Sequence, residues 1–235
     1  MNLSCMTNNY NNIYAPWTAN PGTLLDLAGW KPGQYLLDLA GGTGVVSEEA
    51  WRRTKGEHLL RTTTRIRQDF LHLLDLNPRV RPGTFVLEKT GRAESVGYLY
   101  EHDLFNVVVC RQAVGYLDME KVVPGVHRVL KPGGVFVFNS FEKPSPFGIR
   151  FKETEGGTLQ NRHDTKRTRF AEAYTSLFGH VFHLQVRLTN GPDWDVTYFK
   201  YHDSEKLKKL LGSGFSVQMF KSGRSLRWLC RKGGI

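Results

Sequence analysis

The sequence predicts an α/β fold built on a doubly wound, mostly parallel sheet. Three observations lead there. Short apolar runs recur through residues 34–139, separated by stretches with helical patterning, and this alternation is the signature of strands joined by crossover helices. The first run opens into a glycine-rich segment, residues 38–44, directly ahead of a helical pattern. Beyond residue 142 the texture changes to charged, irregular sequence, then to strands that alternate apolar and polar residues. A single domain over residues 1–235 is expected, with residues 143–202 inserted as a lid that contains a β-hairpin.

Each element has a local cause. Residues 23–30 form a short helix ended near Gly29, and Lys31-Pro32-Gly33 makes the turn after it. Residues 34–39 are a buried strand stopped by glycine, and residues 45–53 a helix whose first turns hold Ser47, Glu48 and Glu49, where acids suit the positive end of the dipole. Residues 54–69 are polar and basic and carry no assignment. Residues 70–74 are a second strand, closed by Asp75-Leu76-Asn77-Pro78, and residues 84–88 a third. Residues 104–110 are continuous and β-branched, the clearest strand of the chain. A helix over 118–130 ends at the turn Lys131-Pro132-Gly133-Gly134, and residues 135–139 follow as a fifth strand. Residues 143–178 read as irregular. Residues 181–188 and 194–201 are hairpin strands. Asp203 or Ser204 caps a helix over 205–211, closed by Gly212 and Gly214, and residues 215–220 and 225–231 end the chain as two strands.

Composition narrows the function classes. With 235 residues, 40% hydrophobic and 23% charged, the chain is neither disordered nor collagenous nor a small disulfide scaffold. No apolar run approaches the ~20 residues a membrane span needs, and the N-terminus lacks the pattern of a signal peptide. Three scattered cysteines without a CxxC pair argue for a reducing cytoplasm and against a metal site. The net charge of +10 favours acidic partners, including nucleic acid. It is uneven, with eight Lys and Arg against three acids in residues 51–81. A solvated surface explains such a run as well as a nucleic-acid platform does, since its only Trp, Tyr or Phe are Trp51 and Phe70, and none stands among the cations between them for bases to stack on.

The chemistry concentrates in Asp38-Leu39-Ala40-Gly41-Gly42-Thr43-Gly44. Glycines between a buried strand and a helix let backbone approach a ligand. A dinucleotide fingerprint would bring a glycine or alanine at Ser47, and Asp38 would repel a pyrophosphate but attract a cation. This segment resembles the first motif of the class I S-adenosylmethionine-dependent methyltransferases, of the small-molecule type 11/25 group, and the string is also similar to that of quinone C-methyltransferases. The resemblance continues in order through Asp75, Gly91-Arg92-Ala93-Glu94, residues 105–116, the turn at residues 129–134 and the C-terminal helix and strands.

The resemblance implies a Rossmann-like seven-stranded sheet with an antiparallel last strand, and S-adenosyl-L-methionine as cofactor. It implies cofactor contacts from Asp38, Ala40, Gly41, Gly42 and Gly44, from Asp75 and Leu76 at the ribose, from Arg92 and Ala93 at the adenine, and from Cys110 and Arg111 after the fourth strand. Asp69 is the rival to Asp75. On the substrate side the candidates are Arg111, Gln112, Tyr116, His163 and Tyr14. The expected reaction is methyl transfer to a small molecule. Methylation of tRNA or rRNA, motivated by the charge, and a binding module that keeps the fold without the chemistry are the alternatives.

Overall fold

The computed structural model describes residues 20–58, 70–76, 78, 80, 86–141, 152–156, 168–177, 180–188, 194–200, 202–222 and 225–234. The described residues divide into two compact units: one runs up to residue 141 and resumes at 204, and the other carries the strands between.

The first unit begins with helix α1, Pro21–Ala28, whose Asn20 side chain accepts from the Gly22 N–H at 2.9 Å, and whose end is turned by Gly29 at φ 64°. Then come β1 (Leu36–Leu39), α2 (Val45–His58), β2 (Leu71–Asp75), β3 (Leu87–Thr90), a short α3 (Val96–Leu99), β4 (Phe105–Cys110), α4 (Met119–Val129) and β5 (Leu130–Phe141). After the second unit the chain returns as α5 (Ser204–Gly212), β10 (Phe215–Ser222) and β11 (Ser225–Lys232).

These strands make one seven-stranded sheet in the order β10-β11-β5-β4-β1-β2-β3. All neighbours pair in parallel except β11, which is antiparallel to both β10 and β5. The chain runs from β1 outward to β3, then returns to the other side of β1 for β4. The carboxyl ends of β1 and β4 therefore flank the switch point of the topology, where such sheets leave a crevice for ligands.

Both faces of the sheet are covered, so its central strands are apolar throughout rather than alternating. Leu37, Leu39, Val108, Phe136 and Phe138 pack under Val122 and Val126 of α4 and Leu207 and Leu211 of α5. Leu36, Val107, Val109, Val135 and Val137 pack under Leu24 and Leu25 of α1 and Val46 and Ala50 of α2. Each such side chain contributes about 1.5–3 kcal/mol on burial. Trp228 of β11 stacks on Phe138 at 5.7 Å and donates from Nε1 to Ser140 Oγ at 2.8 Å.

Several boundaries differ from expectation. The third strand is Leu87–Thr90 rather than 84–88; it is a sheet edge with every residue exposed, so it carries no apolar signature. Helix α2 continues to His58, five residues into the basic stretch that has no apolar period. The expected turn at residues 131–134 lies inside β5 as a bulge: Leu130 pairs with Phe105 and Val135 with Val107, and Gly133 takes φ 73°.

The second unit is a four-stranded antiparallel sheet in the order β6-β7-β8-β9, from Lys152–Gly156, Thr168–Leu177, His180–Leu188 and Trp194–Lys200. The expected hairpin is β8 with β9, registered Leu188 to Trp194. Two strands, β6 and β7, stand where the charged sequence read as irregular. No helix among the described residues is long and apolar enough to cross a membrane.

Candidate functional site

At the carboxyl end of β1 the backbone leaves the sheet through alternate left-handed residues: Ala40 at φ 55°, Gly42 at 56° and Gly44 at 71°. Glycine adopts this conformation freely; for Ala40 it costs about 1–2 kcal/mol. The Ala40 N–H donates to the Leu74 carbonyl at 2.7 Å, and the Gly44 N–H closes a turn on the Gly41 carbonyl at 2.9 Å. The Gly44 carbonyl then accepts the first bond of α2, from Glu48 N–H at 2.7 Å.

Beneath this loop lies Asp38, fully buried. Its Oδ2 accepts from the Ser47 backbone N–H at 3.1 Å and the Ser47 hydroxyl at 3.0 Å, so it caps α2 from the adjoining strand. Its Oδ1 has no hydrogen-bond partner. Gly41 crosses the carboxyl so closely that a Cβ there would sit 2.6 Å from Asp38 Cγ. Burial pushes the Asp38 carboxyl up to about 6, although the two Ser47 hydrogen bonds and the positive charge of Arg111 pull it down; the negative charge of Asp75 adds to the rise.

This has a measurable consequence. An unfolded aspartate titrates near 3.8 and folded Asp38 near 6. Between those values the folded chain holds the extra proton, so stability falls as pH rises, and the penalty, about 3 kcal/mol, is complete above pH 6. Asp38→Asn is neutral at every pH. It is expected to unfold at a higher temperature than wild type at pH 7.5, with the gap closing toward pH 4. A melting-temperature gap that does not change with pH counts against an uncompensated buried carboxylate.

Asp75, at the end of β2, ties the neighbouring loops together. Its Oδ2 accepts from the Gly42 N–H at 3.0 Å and its backbone carbonyl from the Gly91 N–H at 2.9 Å. Leu76 beside it is 58% exposed. After β3, Ala93 is buried, while the Arg92 side chain projects into solvent with Nε 3.6 Å from Glu94 Oε2. The loops after β1, β2 and β3 are thus cross-linked into one rim.

On the other side of the switch point, Cys110 is fully buried and its thiol is pushed far up by burial. Arg111 follows, its charge acting on Asp38. Gln112 is buried at φ 58°, and its N–H donates to Asn139 Oδ1 of β5 at 2.8 Å. Two non-glycine residues, Ala40 and Gln112, are therefore held in left-handed backbone where β1 and β4 end. Tyr116 is 42% exposed at the end of a single 3₁₀ turn. Tyr14, His163 and Asp69 lie outside the described residues.

Ser47 and Asn139 belong to the site but are not among the site residues the sequence predicts. Asn139 did carry a signal, as a polar residue ending the apolar run at the ligand edge of a buried strand. Ser47 carried none beyond its place in the first turn of α2.

Residues 37–138, which span β1 to β5, match the family model described as a methyltransferase domain. The ubiquinone/menaquinone biosynthesis C-methyltransferase of Vibrio parahaemolyticus is 30% identical over 132 residues, 51% of this chain and 46% of that protein. The chain spans about half the length of the curated relatives it matches. Among solved structures, an amino pentose methyltransferase from Micromonospora echinaspora, with S-adenosylmethionine bound, is similar with a TM-score of 0.68, at 18% identity over 99% of this chain and 98% of the other. The 1,6-didemethyltoxoflavin-N1-methyltransferase of Burkholderia thailandensis is similar with a TM-score of 0.54, at 15% identity over 98% and 86%. Residues 37–138 thus match a methyltransferase-domain model, and the fold is that of the similar methyltransferase structures.

Proposed function

We propose that the chain transfers a methyl group from S-adenosyl-L-methionine to a small-molecule acceptor. The observation that carries this is the loop of left-handed residues laid over a buried carboxylate whose Oδ1 is unpartnered, with its Gly42 N–H held by Asp75. The residues fit a cationic nucleoside. A Cβ at Gly42 would meet nothing within 4 Å, so the loop borders open space. Asp38 supplies negative charge beneath Ala40, Gly41, Gly42 and Gly44, toward the amino-acid end of the cofactor. Asp75 and Leu76 serve the ribose, a carboxylate being suited to accept two hydroxyls at once. The backbone of Arg92 and Ala93 serves the adenine, and Cys110 and Arg111 close the side facing β4. Bound there, the cofactor supplies an electrophilic methyl on a positively charged sulfur.

The chain's own contribution is positioning. Gln112, fixed by Asn139, and Arg111 and Tyr116 stand on the acceptor side and orient the nucleophile. A proton acceptor is required only where the nucleophile is protonated, with Tyr14 and His163 as further candidates. The inserted residues 143–202 are assigned to acceptor binding. The similar proteins named for an amino pentose and for didemethyltoxoflavin support a small acceptor. The buried free thiols of Cys110 and Cys230 suit the cytoplasm.

The test is transfer of radiolabelled methyl from the cofactor to fractionated cell extract. Label in the small-molecule fraction is expected. Label confined to RNA, with transfer that collapses as salt is raised, replaces this reading with the nucleic-acid one.

A further inference from the structure

Counted across the sheet, one row stands two residues beyond Asp38. Strand register pairs Asp38 with Val109, Val109 with Val137 and Val137 with Leu229. The next residues on the same face are Arg111, Asn139 and Arg227, since strand side chains alternate with period two. Asn139 and Arg227 are direct partners, and the hydrogen bond from Gln112 N–H to Asn139 Oδ1 fixes the β4 side of the row. The opposite face is identified independently: Phe138, Ser140 and Trp228 meet there. Because β11 runs antiparallel, Arg227 lies near its start and so belongs to the carboxyl edge of the parallel strands. Beyond it β10 places Phe220, 43% exposed, as the partner of Arg227.

Arg227 is the anomaly in this row. Its Nε is buried with no hydrogen-bond partner. No ion pair joins Arg227 to an acid among the described residues. A guanidinium is a permanent cation whose planar fork matches carboxylate and phosphate, and a buried charged donor left without an acceptor is unfavourable. Arg111 lies two strands away, about 10 Å at a strand spacing of about 4.8 Å, near enough for both side chains to reach one anion above Asn139.

We infer that Arg227, with Arg111 and Asn139 in the same row, forms an anion-binding subsite on the acceptor side that takes the carboxylate or phosphate of a small molecule, whose flat apolar body lies along Phe220. That this ligand is the methyl acceptor rests on the methyl-transfer reading; the subsite itself does not.

The probes are benzoate and phenyl phosphate, with methyl benzoate as the uncharged control, titrated by calorimetry into the full chain with and without S-adenosylhomocysteine. Wild type is expected to bind at least one anionic probe about tenfold or more tightly than the neutral ester. Comparison of the two anions tells carboxylate from phosphate. Arg227→Gln is expected to erase that preference and leave S-adenosylhomocysteine affinity within about twofold, while Arg227→Lys retains part of the preference. Equal binding of the ester and both anions to wild type overturns the inference without any variant, as does an unchanged preference in Arg227→Gln or displacement of the anionic probe by tRNA. Failure of S-adenosylhomocysteine to bind, with the anion preference intact, overturns the methyl-transfer reading alone.

Discussion

Gly42→Val is expected to abolish cofactor binding while leaving the fold intact. Gly42 sits at φ 56°, in the left-handed region. A β-branched residue is an outlier there, with a cost of about 1–2 kcal/mol. A Cβ at this position meets nothing within 4 Å, so the protein itself has room for the new methyl groups. They enter the space assigned to the ligand. Strain also turns the Gly42 N–H away from Asp75, its acceptor at 3.0 Å. The expected result is no saturable binding of S-adenosylmethionine up to millimolar concentration, with an unchanged far-ultraviolet circular dichroism spectrum. Near wild-type affinity in this variant means that the ligand does not pass over the loop.

Asp75→Ala is expected to weaken the cofactor about a hundredfold or more. The carboxylate has two duties: it accepts from the Gly42 N–H, and in the proposed complex it accepts from the ribose. Hydrogen bonds to charged groups are worth about 1.5–3 kcal/mol each, so the loss of two amounts to about 3 kcal/mol at the low end. Asp75→Asn separates the duties, since an amide oxygen still holds Gly42 but receives two hydroxyls poorly. The asparagine variant is expected to keep wild-type thermal stability and still lose most of the affinity. A change of less than threefold in both variants removes Asp75 from the ribose and makes Asp69 the next candidate.

The legible parts of this molecule are those fixed by local chemistry. β4 was readable to within a residue, because a strand buried on both faces must be apolar along its length. α1 was readable from its glycine stop, although its start lies two residues earlier, where Asn20 and Pro21 cap it. β3 was misplaced because an exposed edge strand, Leu87–Thr90, has no apolar run to announce it. The extension of α2 to His58 was missed because its last turn has no apolar period. In the site, Asp38, Gly42 and Asp75 stood out as residue types in a pattern. The left-handed backbone of Ala40 and Gln112, the Ser47 cap on Asp38 and the alignment of Arg111, Asn139 and Arg227 did not. They arise from register between strands far apart in sequence: Asn139 and Arg227 meet only because β11 enters the sheet backwards beside β5.

A cationic nucleoside bound above Asp38 must couple to the titration of that carboxyl. Calorimetric titration of S-adenosylmethionine into wild-type protein across pH 5 to 7 tests it most directly. A positive ligand favours the ionised carboxylate, whose proton is held up to about pH 6 in the free protein. One saturable site is expected, with an affinity that rises as pH rises through 6 and a proton released on binding that appears as a buffer-dependent heat. A folded protein that gives no saturable binding at any of these pH values contradicts it.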